Sequence, residues 1–275
     1  MGRSPESVSA DESSRLELIL RRDRIIGLVV LLLFIAFAWW YLLHGAGMPD
    51  DMSSMPGMDM DIGAPREWTA GYASIVFVMW WVMMIAMMLP SAAPMILLHG
   101  LVSRHQEKRG STPISSGIFL LGYLTVWGAF SGLATTLQWQ LQKLALMSPA
   151  MAITSAAVGG LILIAAGVYQ LTPFRDACLQ HCRGPMEFIS KHWMPGAAGA
   201  WKMGIRHGLY CLGCCWMLMA LLFYGGVMNL YWIIGLTAYI FLEKLVPRGM
   251  LVSRLASVVL IAWGAFVLAG PVYSV

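Results

Sequence analysis

Long apolar stretches limit what this chain can fold into more than any other feature. A helix needs about 20 mainly apolar residues to cross the hydrocarbon core of a bilayer. Seven stretches qualify or nearly do, at residues 25–43, 72–98, 116–139, 150–172, 207–227, 230–245 and 255–272. The sixth is short, and Gly225, Gly226 and Asn229 at its junction with the fifth favour a tight helical hairpin. The sequence therefore predicts an all-α transmembrane bundle of about seven spans.

The overall composition supports a membrane protein. Of the 275 residues, 59% are hydrophobic and 12% are charged, and the mean hydropathy is +0.70. A typical soluble domain carries about 25% charged residues. We therefore expect the chain to lie in a lipid bilayer, with no soluble domain large enough to act alone.

Basic residues predict the orientation, because Lys and Arg are retained on the cytoplasmic side of a membrane. With the N-terminus in the cytoplasm, sixteen of the eighteen basic residues fall in cytoplasmic segments, and only Arg66 and Lys143 fall outside. The chain is thus predicted to be a multi-pass protein of the inner membrane. The net charge of +4 reflects this orientation and indicates no nucleic-acid partner.

Four regions follow from this topology. Residues 1–24 form a cytoplasmic arm, 25–43 the first membrane anchor, 44–71 a periplasmic loop rich in methionine, and 72–275 a six-helix membrane domain. The first apolar run is too long for a signal peptide, and no small-x-small cleavage site follows it. We therefore expect it to remain as an anchor.

The periplasmic loop contains closely spaced methionines among Pro, Gly, Ser and Asp. The five residues are Met48, Met52, Met55, Met58 and Met60. Thioethers are soft ligands that suit Cu(I), and methionine in an exposed polar loop has no packing role. The pattern favours copper capture, whereas the alternative is a linker that happens to be rich in methionine.

The second apolar stretch carries methionines at helical spacing. Residues four apart share a helix face, so Met79, Met83 and Met87 form one ladder and Met84 and Met88 form another beside it. Pro90 and Pro94 follow and interrupt the helical hydrogen bonding. The ladders could pass a soft ion, but methionine also fills irregular cores, and the spacing alone does not separate these alternatives.

The fifth stretch begins with a stripe of soft ligands. The residues His207, Cys211, Cys215 and Met219 follow at intervals of four, and Cys214 lies beside them. A single cysteine in a membrane helix is usually a small packing residue. Three within five positions, on a face shared with His and Met, favour a metal or redox site instead.

A second cysteine motif follows the fourth stretch. Cys178 and Cys182 have Cys-x3-Cys spacing, and His181 is adjacent. This set could bind Cu(I) or Zn(II), and Arg175 and Arg183 nearby favour the thiolate form. The alternative is two unrelated thiols at the membrane interface, because a structural disulfide is not expected in a reducing cytosol.

Other polar residues receive structural interpretations. Glu243 and Lys244 end the sixth stretch, where opposite charges commonly act as interfacial anchors, and His99 is placed in the inner loop 99–115. No nucleophile elbow, phosphate loop, dinucleotide fingerprint or paired zinc histidines occurs in the sequence. The sequence therefore offers no motif that indicates an enzyme, and the question of enzymatic activity stays open.

Three motifs resemble a bacterial family usually described as predicted metal-binding integral membrane proteins. They run from Trp81 to Ser91, from Tyr169 to Arg183, and from Gly208 to Trp216, followed by Met228 and Asn229. The resemblance covers roughly residues 72–270. It implies metal binding at the matched Met and Cys positions, and it is silent on which metal is bound.

Copper handling is the first functional hypothesis. In it, the outer methionines collect Cu(I), the Met ladders accept it, His207 and the neighbouring cysteines hold it, and Cys178 and Cys182 offer it to the cytosol. The opposite direction, or delivery to another membrane protein or a copper chaperone, fits the same residues. The expected ligand is thus copper, with zinc as the alternative.

Thiol redox chemistry is the second hypothesis, with electrons moving between the cytoplasmic and membrane cysteines. It gives the methionines no role, because thioethers take no part in disulfide exchange. A third class is an accessory subunit of a larger membrane complex, which the many small-residue faces would allow.

Overall fold

The computed structural model describes residues 25–45, 68–107, 116–148, 151–247 and 249–270. Within these ranges the chain is helical with short connections, and its only β-type pairing is an isolated bridge between Met147 and Ile153. The all-α class predicted from the sequence is confirmed. The N-terminal arm 1–24 and the five loop methionines at 48–60 lie outside the described residues.

The described residues form nine helices. They are α1 (Ile25–Leu43), α2 (Ala70–Glu107), α3 (Ser116–Lys143), α4 (Ala156–Gln170), α5 (Pro173–Arg183), α6 (Pro185–His192), α7 (Gly196–Gly225), α8 (Leu230–Leu245) and α9 (Gly249–Ala269).

The described part of the chain has five helices that are long and apolar enough to cross a membrane, namely α1, α2, α3, α7 and α9. The pair α4 and α5 makes a sixth if it is counted as one span broken by a 65° bend. Helix α8 has only 16 residues. Seven spans are thus not confirmed, although each predicted apolar stretch contains a helix.

The bend after α4 has a local cause. Helix α4 ends at Gln170, and Thr172 then caps α5 by accepting a hydrogen bond from the Arg175 amide at 3.4 Å. Pro173 occupies the first turn of α5, where a missing N–H costs nothing. The chain therefore starts a new helix in a new direction, where the sequence had suggested an inner loop.

Glycines bring the central helices into backbone contact. A Cβ at Gly122 of α3 would overlap the Trp201 carbonyl of α7, and one at Gly204 of α7 would overlap the Phe119 carbonyl of α3. Helices α4 and α9 meet in the same way at Gly160 and Gly264. Close backbone approach through small residues is a common means of helix association in membranes. It holds α7 firmly in the centre of the bundle.

Helix α2 supplies much of the interior. The helix continues through Pro90 and Pro94, and its two methionine ladders are buried. Trp80 is buried as well, and its indole N–H donates a hydrogen bond to the side-chain oxygen of Gln138 at 2.7 Å. The ladders face the protein and not lipid. They can therefore act as packing residues and, at the same time, line the interior with thioethers.

Candidate metal site

The soft-ligand stripe on α7 faces the interior, as its spacing predicts. His207, Cys211, Cys214, Cys215 and Met219 are each no more than 3% exposed. Helices α3 and α5 both pack against α7, and the stripe is covered from the protein surface. The groups that contact these thiols therefore belong to the protein itself.

Cys182 joins these thiols from α5. Its thiol lies close enough to those of Cys211 and Cys214 to interact with them. The sequence analysis had treated Cys178 and Cys182 as a separate cytoplasmic pair, because spacing along the chain gives no information about contacts between helices. The structure instead places Cys182 at the α7 thiols. We refer to Cys182, Cys211, Cys214 and Cys215 as the thiol cluster.

A methionine of α2 reaches the same place. The Met88 sulfur lies 3.8 Å from the Cys215 sulfur, so the second methionine ladder ends at the thiol cluster. Met83 and Met87 are buried on the same helix. Thioether and thiol ligands from three helices thus meet in the core of the bundle.

Lys244 lies inside the bundle and not at an interface. Its Nζ is 3.0 Å from the Cys211 sulfur and 3.2 Å from the Ser91 hydroxyl, and the residue is 5% exposed. The Tyr123 hydroxyl is 3.2 Å from the same Cys211 sulfur. Cys211 is therefore surrounded by polar hydrogen atoms that stabilise negative charge on sulfur. The interpretation of Lys244 as an anchor was wrong.

Glu243 is also buried and forms an ion pair with Arg175 of α5. Arg175 forms a second ion pair with Asp176 at 3.1 Å. A buried carboxylate needs a partner of opposite charge, and this pair joins α5 to α8. Glu243 is thus a link between helices, which corrects its expected role as an anchor.

His207 is enclosed by aromatic rings. Its ring centre lies 5.5 Å from that of Phe188, 5.8 Å from that of Tyr123 and 6.0 Å from that of Phe119. Its Nδ1 atom is buried without a hydrogen-bond partner. His207 is one helical turn before Cys211 and can be a reserve ligand, but its ring packs against hydrocarbon groups in this structure.

A second buried histidine was missed by the sequence analysis. Because α2 continues past the apolar stretch, His99 lies within the helix and is fully buried, although a loop position was predicted. Its ring stacks on Phe119 at 4.7 Å, and neither ring nitrogen has a hydrogen-bond partner. A histidine directly after an apolar run was the available signal for an interior position.

The remaining predicted ligands of the second motif separate from Cys182. Cys178 packs against the backbone of α7 at Gly213, its sulfur 2.8 Å from where a Cβ would stand. His181 turns the other way and stacks on Tyr210, with ring centres 4.1 Å apart. Although Cys178, His181 and Cys182 are close in sequence, their side chains thus lie in three different environments.

The thiol cluster does not form a preorganised coordination site. Within the described ranges, no three side chains among His, Cys, Asp and Glu are arranged to hold a metal ion. Two of the thiols bond to a backbone oxygen instead, since Cys214 and Cys215 donate to the Cys211 carbonyl at 3.1 and 2.9 Å. These are weak donors, and a rotation about χ1 would release them.

Two adjacent charged residues, Glu243 and Lys244, at the end of an apolar stretch were the signal that could have revealed Lys244. Ionisable side chains in membrane helices are rare, and they usually face the interior of the bundle and mark function. Ser91 and Tyr123 gave no comparable signal, because their contact with this site depends on how the helices pack.

Of the comparisons with known proteins, one gave a match. Neither the curated proteins nor the solved structures with which the chain was compared gave a match. A family whose description is copper chaperone matches residues 77–267, a region that begins within α2 and ends within α9. The matched region therefore includes the thiol cluster, Met88 and Lys244. The chain belongs to this family of copper chaperones.

Proposed function

We propose that this chain is an integral membrane protein that binds Cu(I) at the thiol cluster and Met88 and passes it to a partner. The observation that carries the proposal is the meeting of Cys182, Cys211, Cys214 and Cys215 with the Met88 thioether in the core. Membership of a copper-chaperone family supports copper as the cargo.

The ligand set suits Cu(I) better than harder metals. Thiolate and thioether sulfur select Cu(I) among the common cellular cations, while Mg, Ca and Mn prefer oxygen. Copper binds the thiolate form, so the ammonium group of Lys244 beside Cys211 favours binding by stabilising that form. A buried cationic side chain next to sulfur has no role in hydrophobic packing.

The route to this site follows α2 in our proposal. Its buried methionines lie one helical turn apart over Met79, Met83 and Met87, with Met84 and Met88 alongside. Thioethers bind Cu(I) more weakly than thiolates, so a series of thioethers that ends at thiols gives increasing affinity along the helix. The outer loop methionines would provide the first capture site.

The proposed location is the inner membrane of a bacterium, with the N-terminus and α6 on the cytoplasmic side and the methionine loop on the periplasmic side. The support is the distribution of basic residues and the five helices that can span a membrane. Delivery goes either to a cytoplasmic copper-binding protein or to a membrane enzyme, and the same site serves both.

The test is copper binding by the full chain in mild detergent under reducing conditions. We expect wild-type protein to hold Cu(I) against a competing chelator. The variant Cys211→Ser/Cys214→Ser/Cys215→Ser should lose this copper, because hydroxyl oxygen is a poor ligand for Cu(I). The matched control is Cys178→Ser, since Cys178 is buried in the same region but packs on Gly213, and it should keep its copper.

Two results would contradict the proposal. One is retention of copper by the triple variant, which would make the α7 cysteines packing residues. The other is absence of copper from the wild-type protein after purification and after loading. Helical content by circular dichroism shows that each variant remains folded.

Thiol redox exchange remains the second candidate function, because the contact of Cys182 with Cys211 and Cys214 would also permit a disulfide between α5 and α7. This function requires reversible formation of that bond during activity. Copper handling requires all of these thiols to stay reduced.

A further inference from the structure

Two histidines lie together at the junction of α5, α6 and α7, outside the thiol cluster. The ring centres of His181 and His192 are 6.3 Å apart with an angle of 47° between the ring planes. Both side chains are partly exposed and line a small surface pocket of about 50 Å³. The pair is thus accessible from the end of the bundle at which α6 lies.

The backbone fixes the tautomer of both rings. His181 Nδ1 lies 2.8 Å from the Ala177 carbonyl, and His192 Nδ1 lies 3.1 Å from the Phe188 carbonyl. A carbonyl oxygen can only accept, so Nδ1 must donate and Nε2 keeps its lone pair in the neutral ring. Metal-binding histidines commonly have this arrangement, in which a backbone carbonyl orients the ring.

The spacing of the rings suits a two-coordinate ion. A metal at about 2.0 Å from an imidazole nitrogen lies roughly 3 Å from the ring centre, so two rings that hold one ion in a near-linear arrangement have centres about 6 Å apart. The observed separation is 6.3 Å. Cu(I) accepts two-coordinate binding, and such a site leaves a position where a partner's ligand can attack.

The acidic residue of the pocket is already engaged. Glu187 forms an ion pair with Lys191 at 2.6 Å, and the hydrogen bond and charge of Lys191 lower the pKa of the Glu187 carboxyl. This ion pair leaves imidazole nitrogen as the softest donor in the pocket. A soft monovalent ion is favoured over Mg or Ca, which require several oxygen ligands.

The histidine pair is connected to the thiol cluster by neighbours in sequence on α5 and α7. His181 precedes Cys182 on α5, and it stacks on Tyr210, which precedes Cys211 on α7. On the other side, the Phe188 ring lies between His192 and the buried His207, with ring centres 5.0 and 5.5 Å away. The pair is therefore adjacent in sequence to the thiol cluster on α5 and is still reachable from outside.

We infer that His181 and His192 form a surface exchange site for Cu(I), through which copper moves between the thiol cluster and a soluble partner. This inference rests on the proposed function and adds the place of hand-off. One Cu–N bond breaks for each Cu–S bond that forms, the oxidation state stays Cu(I), and the proton displaced from each thiol leaves to water.

The first arm of the test measures binding at the pair alone. The full chain with Cys182, Cys211, Cys214 and Cys215 changed to Ser is titrated with Cu(I) in a bathocuproine disulfonate buffer. We expect one of the bound ions to be removed by His181→Phe/His192→Phe, with affinity at that site falling at least about tenfold, since even loss of an outer-shell partner costs roughly 10- to 100-fold. Phenylalanine keeps the ring packing and removes both nitrogens.

The second arm uses wild-type thiols and measures how fast excess chelator removes copper. His181→Phe/His192→Phe should slow removal while the copper content at equilibrium stays unchanged. The matched control is His44→Phe. The Nδ1 atom of His44 makes the same type of contact, 2.8 Å from the Trp40 carbonyl oxygen, and the residue directly follows α1. It should change neither measurement.

The two proposals fail in different ways. If the histidine variant matches its parent in both arms, the pair is a packing feature and the exchange site is wrong, while thiol binding stands. If the triple cysteine variant retains the full copper content, the proposed function fails. If the four-serine variant does not fold, the rate measurement in the wild-type background alone decides, and an unchanged rate overturns the inference.

Discussion

The ammonium group of Lys244 lies 3.0 Å from the sulfur of Cys211, although the two residues are on different helices and 33 positions apart. A cation at this distance stabilises a thiolate by charge and by a hydrogen bond. The same contact gives Cys211 a different character from Cys214 and Cys215, whose thiols donate to a backbone carbonyl.

Replacement of Lys244 by Leu, which adds no sulfur ligand, should weaken Cu(I) binding. A hydrogen bond to a charged group is worth about 1.5–3 kcal/mol, which corresponds to roughly 10- to 150-fold in affinity. Ser91→Ala, which removes only the neutral partner of Lys244, should cost about 1 kcal/mol, or about fivefold. Chelator competition measures both. Equal or tighter binding in Lys244→Leu would show that the ammonium group competes with copper.

Mild oxidation should link α5 to α7. Because Cys182 contacts Cys211 and Cys214, we expect a disulfide from Cys182 to one of them, detectable by mass spectrometry of peptides after thiol blocking. Copper loaded beforehand should prevent this bond, and the oxidised protein should not bind copper until it is reduced. Full copper binding by the cross-linked protein would remove Cys182 from the ligand set. Cys178→Ser, which leaves these three thiols in place, should cross-link like wild type.

The Arg175–Glu243 pair should be important for stability. Removal of one member leaves an unpaired buried charge, which costs about 3–5 kcal/mol. Arg175→Met and Glu243→Gln should therefore each lower the unfolding temperature in detergent, while the double variant should recover much of the loss. If the single and double variants lose stability additively, the two side chains do not interact. Exposed Lys191→Gln is a suitable control with little expected effect.

Glycine at position 204 should be required for the contact between α3 and α7. A methyl group there would overlap the Phe119 carbonyl, so Gly204→Ala should force the helices apart and destabilise the protein by about 1–3 kcal/mol. Gly235 of α8 has nothing within 4 Å of its Cβ position, so Gly235→Ala should be neutral or stabilising by up to about 1 kcal/mol. Similar unfolding temperatures for both variants would contradict the close packing.

The outer loop should matter when copper is scarce. Changing Met48, Met52, Met55, Met58 and Met60 to Leu keeps apolar character and removes sulfur, and stability should change little because a solvated loop contributes little to packing. Copper delivery should fall most at low external copper and recover as copper rises. Cysteine variants should not recover. Equal delivery at every concentration would show that the loop is only a linker.

The sequence was sufficient to predict the helical class because burial in a bilayer depends on local composition. The apolar stretches at 25–43, 116–139 and 255–272 each correspond to a helix long enough to span a membrane. The length of helix α7 was underestimated because hydropathy detects only its apolar part, whereas the helix starts at Gly196 and passes through Lys202 and Arg206. Backbone hydrogen bonding extends the helix beyond its apolar segment, and hydropathy does not detect that part.

The candidate site was only partly predictable for a related reason. The stripe of Cys211, Cys215 and Met219 follows from helical periodicity alone, so spacing was enough to identify it. The position of Cys182 beside the α7 thiols depends on the 65° bend after α4, and the burial of Lys244 depends on where α8 packs. These are contacts between helices distant in sequence, and no local pattern contains them.

The bend between α4 and α5 also has an evolutionary consequence. Cys182 reaches the α7 thiols on a short helix that is joined to the bundle by a turn at Thr172 and by the Arg175–Glu243 pair, while α7 itself is held by backbone contact with α3. Substitutions at that turn or ion pair can shift Cys182 and leave the α7 thiols in place. Under the proposed function, selection can therefore tune how tightly a descendant retains copper without changing any of the proposed ligands.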